Sequence, residues 1–80
     1  MARIHYVILD ETLIDLFDLV GVTYETVGGK FCVPYENWAA VSNEIDEYLW
    51  ENPDEDELWD LWGGYEYVES YWSTESQTWA

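Results

Sequence analysis

Apolar and polar positions divide the chain into short periodic runs. Arg3, Ile4, His5, Tyr6, Val7, Ile8 and Leu9 form a β-branched, apolar run that predicts a buried strand. Asp10 follows as a helix cap, with Glu11 in the first turn. Leu13, Leu16, Phe17 and Val20 recur at helical spacing, and Gly21 stops that helix. Residues 22–27 and 31–33 read as strands on either side of Gly28 and Gly29, a β-hairpin.

Pro34 closes the second hairpin strand and leads into a helix over residues 35–51. Its apolar stripe is Trp38, Val41, Ile45, Tyr48 and Leu49. Asn52 and Pro53 break the pattern, as an N-cap and first helical position for a short helix over residues 53–62. Gly63 and Gly64 end that helix. Tyr65, Tyr67, Glu69 and Tyr71 alternate with Glu66, Val68 and Ser70, as in a last strand. From Ser73 the chain reads as a tail over residues 73–80, with Trp79 available to pin it.

The order is β-α-β-β-α-(α)-β. The fold class is therefore α+β: one small domain over residues 1–80, an antiparallel sheet with helices on one face. A split βαβ, ferredoxin-like sandwich fits that order, and so does a meandering sheet carrying helices.

Charge changes the picture. Eighteen acidic residues face two basic ones, Arg3 and Lys30, for a net charge of −16 in 80 residues. Self-repulsion on that scale works against a compact state. Solubility needs far less, on the order of 2–8 net charges for a small domain. Yet 49% of the residues are hydrophobic, unlike a disordered acidic tail. Glu36, Glu44, Glu47 and Glu51 share one face of the long helix, opposite its apolar stripe, and line roughly 22 Å of it at about 1.5 Å per residue. Asp54, Glu55, Asp56 and Glu57 continue the line, and Asp60 lies one turn further on. A sphere of this chain length is about 30 Å across. Duplex DNA of that length carries about 18 phosphates, so the total charge is comparable.

Aromatic residues reach 19%, including six Trp and seven Tyr. Trp38, Tyr48 and Phe17 fall at core positions. Trp50, Trp59, Trp62, Trp72 and Trp79 are harder to bury together in so thin a core. Trp59 and Trp62, ringed by acids, have the composition of an interface hot spot. A Trp-rich core and a homodimer that buries the excess are the alternatives. Adaptation to high salt accounts for the acidity but not for the Trp and Tyr.

Catalytic chemistry is not evident. His5 is the one histidine and sits within a strand, where a structural role is expected. Cys32 is the one cysteine, so neither an intramolecular disulfide nor a cysteine metal cluster can form. Counting from Asp54, the sixth and twelfth positions of a calcium loop hold Trp59 and Tyr65 instead of Gly and Glu. No phosphate-binding glycine loop is present. The expectation is a binding protein with no cofactor and no metal. Arg3 and Lys30 cannot form a basic patch, so direct nucleic-acid binding is excluded. No apolar stretch approaches the roughly 20 residues that span a bilayer, and anionic membranes would repel the chain. The single thiol suits the reducing cytoplasm of a host cell.

Size, charge and the acidic region between Glu44 and Glu69 together resemble the phage- and plasmid-encoded DNA-mimic inhibitors, among them anti-CRISPR and anti-restriction proteins. The resemblance implies a partner whose positively charged DNA- or RNA-binding surface is occupied by carboxylates in place of phosphates, a CRISPR effector first and a restriction enzyme next. An immunity protein or antitoxin against a basic nuclease uses the same electrostatics. An acidic-aromatic transcriptional interaction module is a further alternative.

Overall fold

The computed structural model describes residues 2–79. Strand β1 (Arg3–Leu9) is followed by a cap: the Asp10 carboxylate accepts the Thr12 N–H at 3.0 Å and starts a 3-10 turn (Glu11–Leu13). That turn runs into α1 (Ile14–Val20), which ends at Gly21 with φ 86°. Strands β2 (Glu25–Val27) and β3 (Lys30–Pro34) pair with Val27 opposite Lys30. Gly28 and Gly29 both have positive φ, 55° and 78°, as a two-residue hairpin of matching twist requires.

Helix α2 (Tyr35–Glu51) occupies the residues its periodicity predicts. The next helix differs from expectation. Asn52 serves the end of α2 rather than the start of α3: its Nδ2 donates to the Tyr48 carbonyl at 2.8 Å and its N–H to that of Leu49. With Asn52 so engaged, Pro53 lies in a turn, and α3 (Asp56–Gly64) begins after Glu55. Gly63 and Gly64 continue α3 because neither adopts positive φ, and extended backbone at Tyr65 ends it. Strand β4 (Tyr67–Ser73) therefore starts two residues later than the alternation suggests. The segment after it, expected as a tail, folds back. The Gln77 N–H reaches the Ser73 carbonyl at 2.8 Å, and β5 (Thr78–Trp79) pairs with Ser73 and Trp72.

The sheet order is β2-β3-β1-β4-β5, antiparallel throughout. Strands β1 and β2 are thus parallel with β3 inserted between them. This is the split βαβ order of a ferredoxin-like sandwich, with β5 added at one edge.

The two faces of the sheet close differently. Val7, Leu9, Phe31 and Val33 turn to the helices and pack with Leu13, Leu16, Phe17, Val41, Ile45 and Leu49. Each such side chain contributes about 1.5–3 kcal/mol by burial. Tyr6 and Cys32, on the opposite face, are also buried. The sheet curls there, bringing Trp72 and Trp79 over the hairpin. A Cβ on Gly28 would lie 2.6 Å from the Trp72 ring and 2.9 Å from Trp79 Nε1. The Tyr6 and Trp79 rings meet edge to face at 5.7 Å, and the Tyr6 hydroxyl donates to Glu25 at 3.1 Å.

Among the described residues, every buried one falls between Tyr6 and Leu49. Helix α3 and strands β4 and β5 contain none among the described residues, so they extend the molecule instead of rounding it out. Its dimensions are 46 × 19 × 17 Å, an elongated body where a sphere of about 30 Å is expected from length alone.

Candidate functional site: an acidic helix face beside an aromatic annex

Helix α2 fixes the acidic surface. Val41, Ile45 and Leu49 are buried on its inner face, which forces Glu36, Glu44, Glu47 and Glu51 outward. Asp54, Glu55, Asp56, Glu57 and Asp60 are exposed as well. Glu44, Glu47 and Glu51 lie within two turns of one another. Glu36 stands two turns earlier, beyond Ala39 and Ala40. Asp54 and Glu55 occupy the turn after α2, and Asp56 and Glu57 the first turn of α3, where the helix dipole favours them. Glu47 and Glu51 have the opposite environment. They crowd the negative end of α2, whose last turn holds no basic residue. Each is unfavourable there by some tenths of a kcal/mol.

Two groups stand out among the 18 acids. Asp10, Asp18, Glu25, Asp46 and Glu69 each have a partner within the fold. Asp18 accepts from the Tyr24 hydroxyl at 2.8 Å, and Asp46 from Trp62 Nε1 at 2.6 Å. Glu69 meets His5 Nε2 at 3.1 Å. Among the described residues, the nine carboxylates of the predicted surface make no side-chain hydrogen bond and no ion pair, and Arg3 and Lys30 pair with none of them. The elongation lowers their linear density. Duplex DNA of 46 Å would carry about 27 phosphates, against a net charge of −16 here.

Trp59 and Trp62, expected at the surface, are only partly exposed and pack against the core. Trp62 stacks on Tyr65 at 4.6 Å and lies 6.1 Å from Trp38, so it holds α3 to α2 together with its bond to Asp46. The open tryptophan is Trp50, 77% exposed, with its ring edge to face on Trp59 at 5.8 Å. The signal for it was in the helix period. Trp50 falls fourteen residues after Glu36, on the acidic side of α2 and off its apolar stripe.

Two buried groups are perturbed. Burial, with Glu25 nearby, pushes the Cys32 thiol up to about 11. Burial and the hydrogen bond to Glu25 push the Tyr6 hydroxyl up to about 12. Cys32 is therefore a packed thiol rather than a thiolate nucleophile. His5 is clamped between Tyr35 and Tyr71, stacked at 4.3 and 4.6 Å. A shallow cavity of about 290 Å³ beside it is lined by Arg3, Ile4, His5, Pro34 and Glu36. No group of three or more metal-ligating side chains is assembled among the described residues. No helix among them is long and apolar enough to cross a membrane.

Comparison with protein-family models, with curated proteins and with solved structures finds no match.

Proposed function

We propose that this protein is a nucleic-acid-mimicking inhibitor that acts in the host cytoplasm by occupying the positively charged DNA- or RNA-binding surface of a defence complex, a CRISPR effector in the first place and a restriction enzyme next. The supporting observation is the set of nine exposed carboxylates without a partner in the fold. Five other acids are tied to side chains or caps, so the chain is capable of satisfying its carboxylates and does not satisfy these. Glu47 and Glu51 even oppose the dipole of their own helix. Such groups await cations from outside, and Lys and Arg of a nucleic-acid channel supply them.

Trp50 favours a second reading. An exposed indole within an acidic face is an anchor for one dedicated protein surface. An immunity protein against a basic nuclease would use it that way.

The test is competition. The protein is titrated against purified CRISPR effectors and restriction enzymes in the presence of labelled duplex, at two salt concentrations. Release of the duplex, weakened by added salt, is the expected result. A duplex that stays bound with unchanged affinity at saturating protein rejects mimicry. The variant carrying Glu44→Gln, Glu47→Gln and Glu51→Gln should melt no lower than the parent, since like charges on one helix repel by some tenths of a kcal/mol. It should lose about 1–3 kcal/mol of binding for each desolvated pair removed. Trp50→Ala should also leave stability within about 0.5 kcal/mol. If it abolishes binding to a nuclease while the triple variant retains it, the dedicated-partner reading replaces the first.

A further inference from the structure

The two edges of the sheet are not alike. Strand β2, at one edge, is three residues long, and short edge strands resist pairing with other chains. Strand β4 is seven residues long, and β5 covers only Trp72 and Ser73 of it. Among the described residues no strand pairs with its outer side from Tyr67 to Glu69.

The backbone groups that face outward can be identified. The Thr74 N–H donates to the Ala2 carbonyl at 3.1 Å, in register with Arg3 opposite Ser73. Antiparallel ladders alternate hydrogen-bonded and non-hydrogen-bonded pairs. Val68, Ser70 and Trp72 therefore turn their N–H and C=O groups inward to β1. Tyr67, Glu69 and Tyr71 turn theirs outward. Ser73 is next in that series, and its carbonyl does accept on the outer side, from Gln77. Of the usual protections of a long edge, β4 carries one, the charge of Glu69, which disfavours a like-charged strand. Strand β4 contains no Lys and no Pro, and its pairing with β1 runs from Leu9 opposite Tyr67 to Arg3 opposite Ser73 without a bulge.

The side chains along this edge state what would fit it. Tyr67, Glu69 and Tyr71 project to the helix side, with the two rings 51% and 46% exposed on either side of a carboxylate. His5 already meets the Glu69 Oε1 and stacks on Tyr71, so a Lys or Arg of a partner pairs with the Glu69 Oε2 and stacks on the exposed faces of the rings. Val68, 61% exposed, projects to the other side and calls for an apolar neighbour. A second copy is a poor occupant, because two edges in antiparallel pairing would juxtapose two Glu69 side chains on two bodies of charge −16. We infer that the outer edge of β4 is a strand-docking site for an extended segment of a protein partner in which basic and apolar residues alternate. This site is separate from the carboxylates of α2 and stands whether or not those mimic phosphate.

The probe is a synthetic octapeptide alternating lysine and valine, titrated into the full-length ¹⁵N-labelled protein. Binding should shift the amide signals of Tyr67 and Glu69 and slow their hydrogen exchange by about tenfold or more. The same peptide N-methylated at alternate amides keeps its charge but cannot add to the sheet, and should bind about tenfold more weakly. Glu69→Pro removes one outward N–H that the fold does not use and should weaken the parent peptide strongly. Glu69→Gln, which keeps the backbone donor, should weaken it only a few-fold. Three results overturn the proposal: equal binding of the methylated peptide, shifts confined to α2 and α3, or slow exchange at Tyr67 and Glu69 in a dimer formed without peptide. The peptide pair decides the matter even if Glu69→Pro fails to fold.

Discussion

The first 49 residues and the remainder of the chain are built on different principles. Up to Leu49 the domain buries apolar side chains completely, and two helices pack on one face of the sheet. Beyond it, four tryptophans and three tyrosines assemble α3, β4 and β5, with Trp50 against them from the end of α2 and no side chain fully buried among the described residues. Aromatic rings make this practicable. They cover large apolar areas from a half-exposed position and anchor by an edge or an N–H, as Trp62 does on Asp46. The same half-exposure leaves the acids of this region at the surface. A charged surface on a thin core is thus achieved by separating the two along the chain.

Leu49→Ala should strike the first region hardest. Leu49 is fully buried at the end of α2, and its truncation should cost about 2–5 kcal/mol, read by chemical denaturation. If the variant unfolds in one transition, the aromatic annex depends on the core. A separate annex transition would show that it stands alone. Gly28→Ala should come next. The new methyl meets Trp72 and Trp79 at a φ of 55°, and steric and conformational terms together cost about 2–4 kcal/mol. Gly29→Ala, with open space around it, should cost only about 1–2 kcal/mol. Equal losses would mean that the curl of the sheet onto the hairpin does not matter.

Alkaline pH sharpens the contrast further. Cys32 and Tyr6 ionise at higher pH in the folded chain, so the folded state holds protons that the unfolded state releases. Their contribution is complete below pH 9 and is lost as pH rises through about 11 and about 12. Stability measured from pH 8 to 11 should fall, and Cys32→Ala should remove the earlier part of the fall. The smallest effect belongs to Trp62→Phe. It keeps a ring on Tyr65 and loses the bond to the exposed Asp46, for about 1 kcal/mol. Hydrogen exchange should quicken in α3 and leave β1 unchanged.

Legibility in the sequence followed the same division. β1, the Gly28–Gly29 turn and α2 are marked by period and by turn residues, and the structure places them where those signals fall, but the first hairpin strand, expected over residues 22–27, begins only at Glu25 because Val22 packs into the core from the loop after α1. The sheet order agrees with the split βαβ reading, since β3 returns beside β1, an outcome that the element order allowed and did not require. The start of α3 was not legible, since Asn52 can cap either helix and only the Tyr48 carbonyl decides. The turn to β5 was missed because Gln77 carries it at φ 54° without a glycine to announce it. Exposure of the carboxylates followed directly from the α2 stripe. The partial burial of Trp62 was not legible, because spacing alone does not reveal that Asp46 and Tyr65 stand ready to receive its indole, and Trp59 is covered in part by Trp50.

The longest ladder of the sheet has a kinetic consequence. Strand β1 pairs with β4 across 58 residues at Leu9 and Tyr67 and across 70 at Arg3 and Ser73. Closing so wide a loop is slow, because its entropy is lost before the pairing rewards it. In this chain the loop is also a polyanion that must contract against itself. The barrier to folding therefore carries an electrostatic part, and counterions that merely screen the finished surface act on the rate at which that surface comes into being.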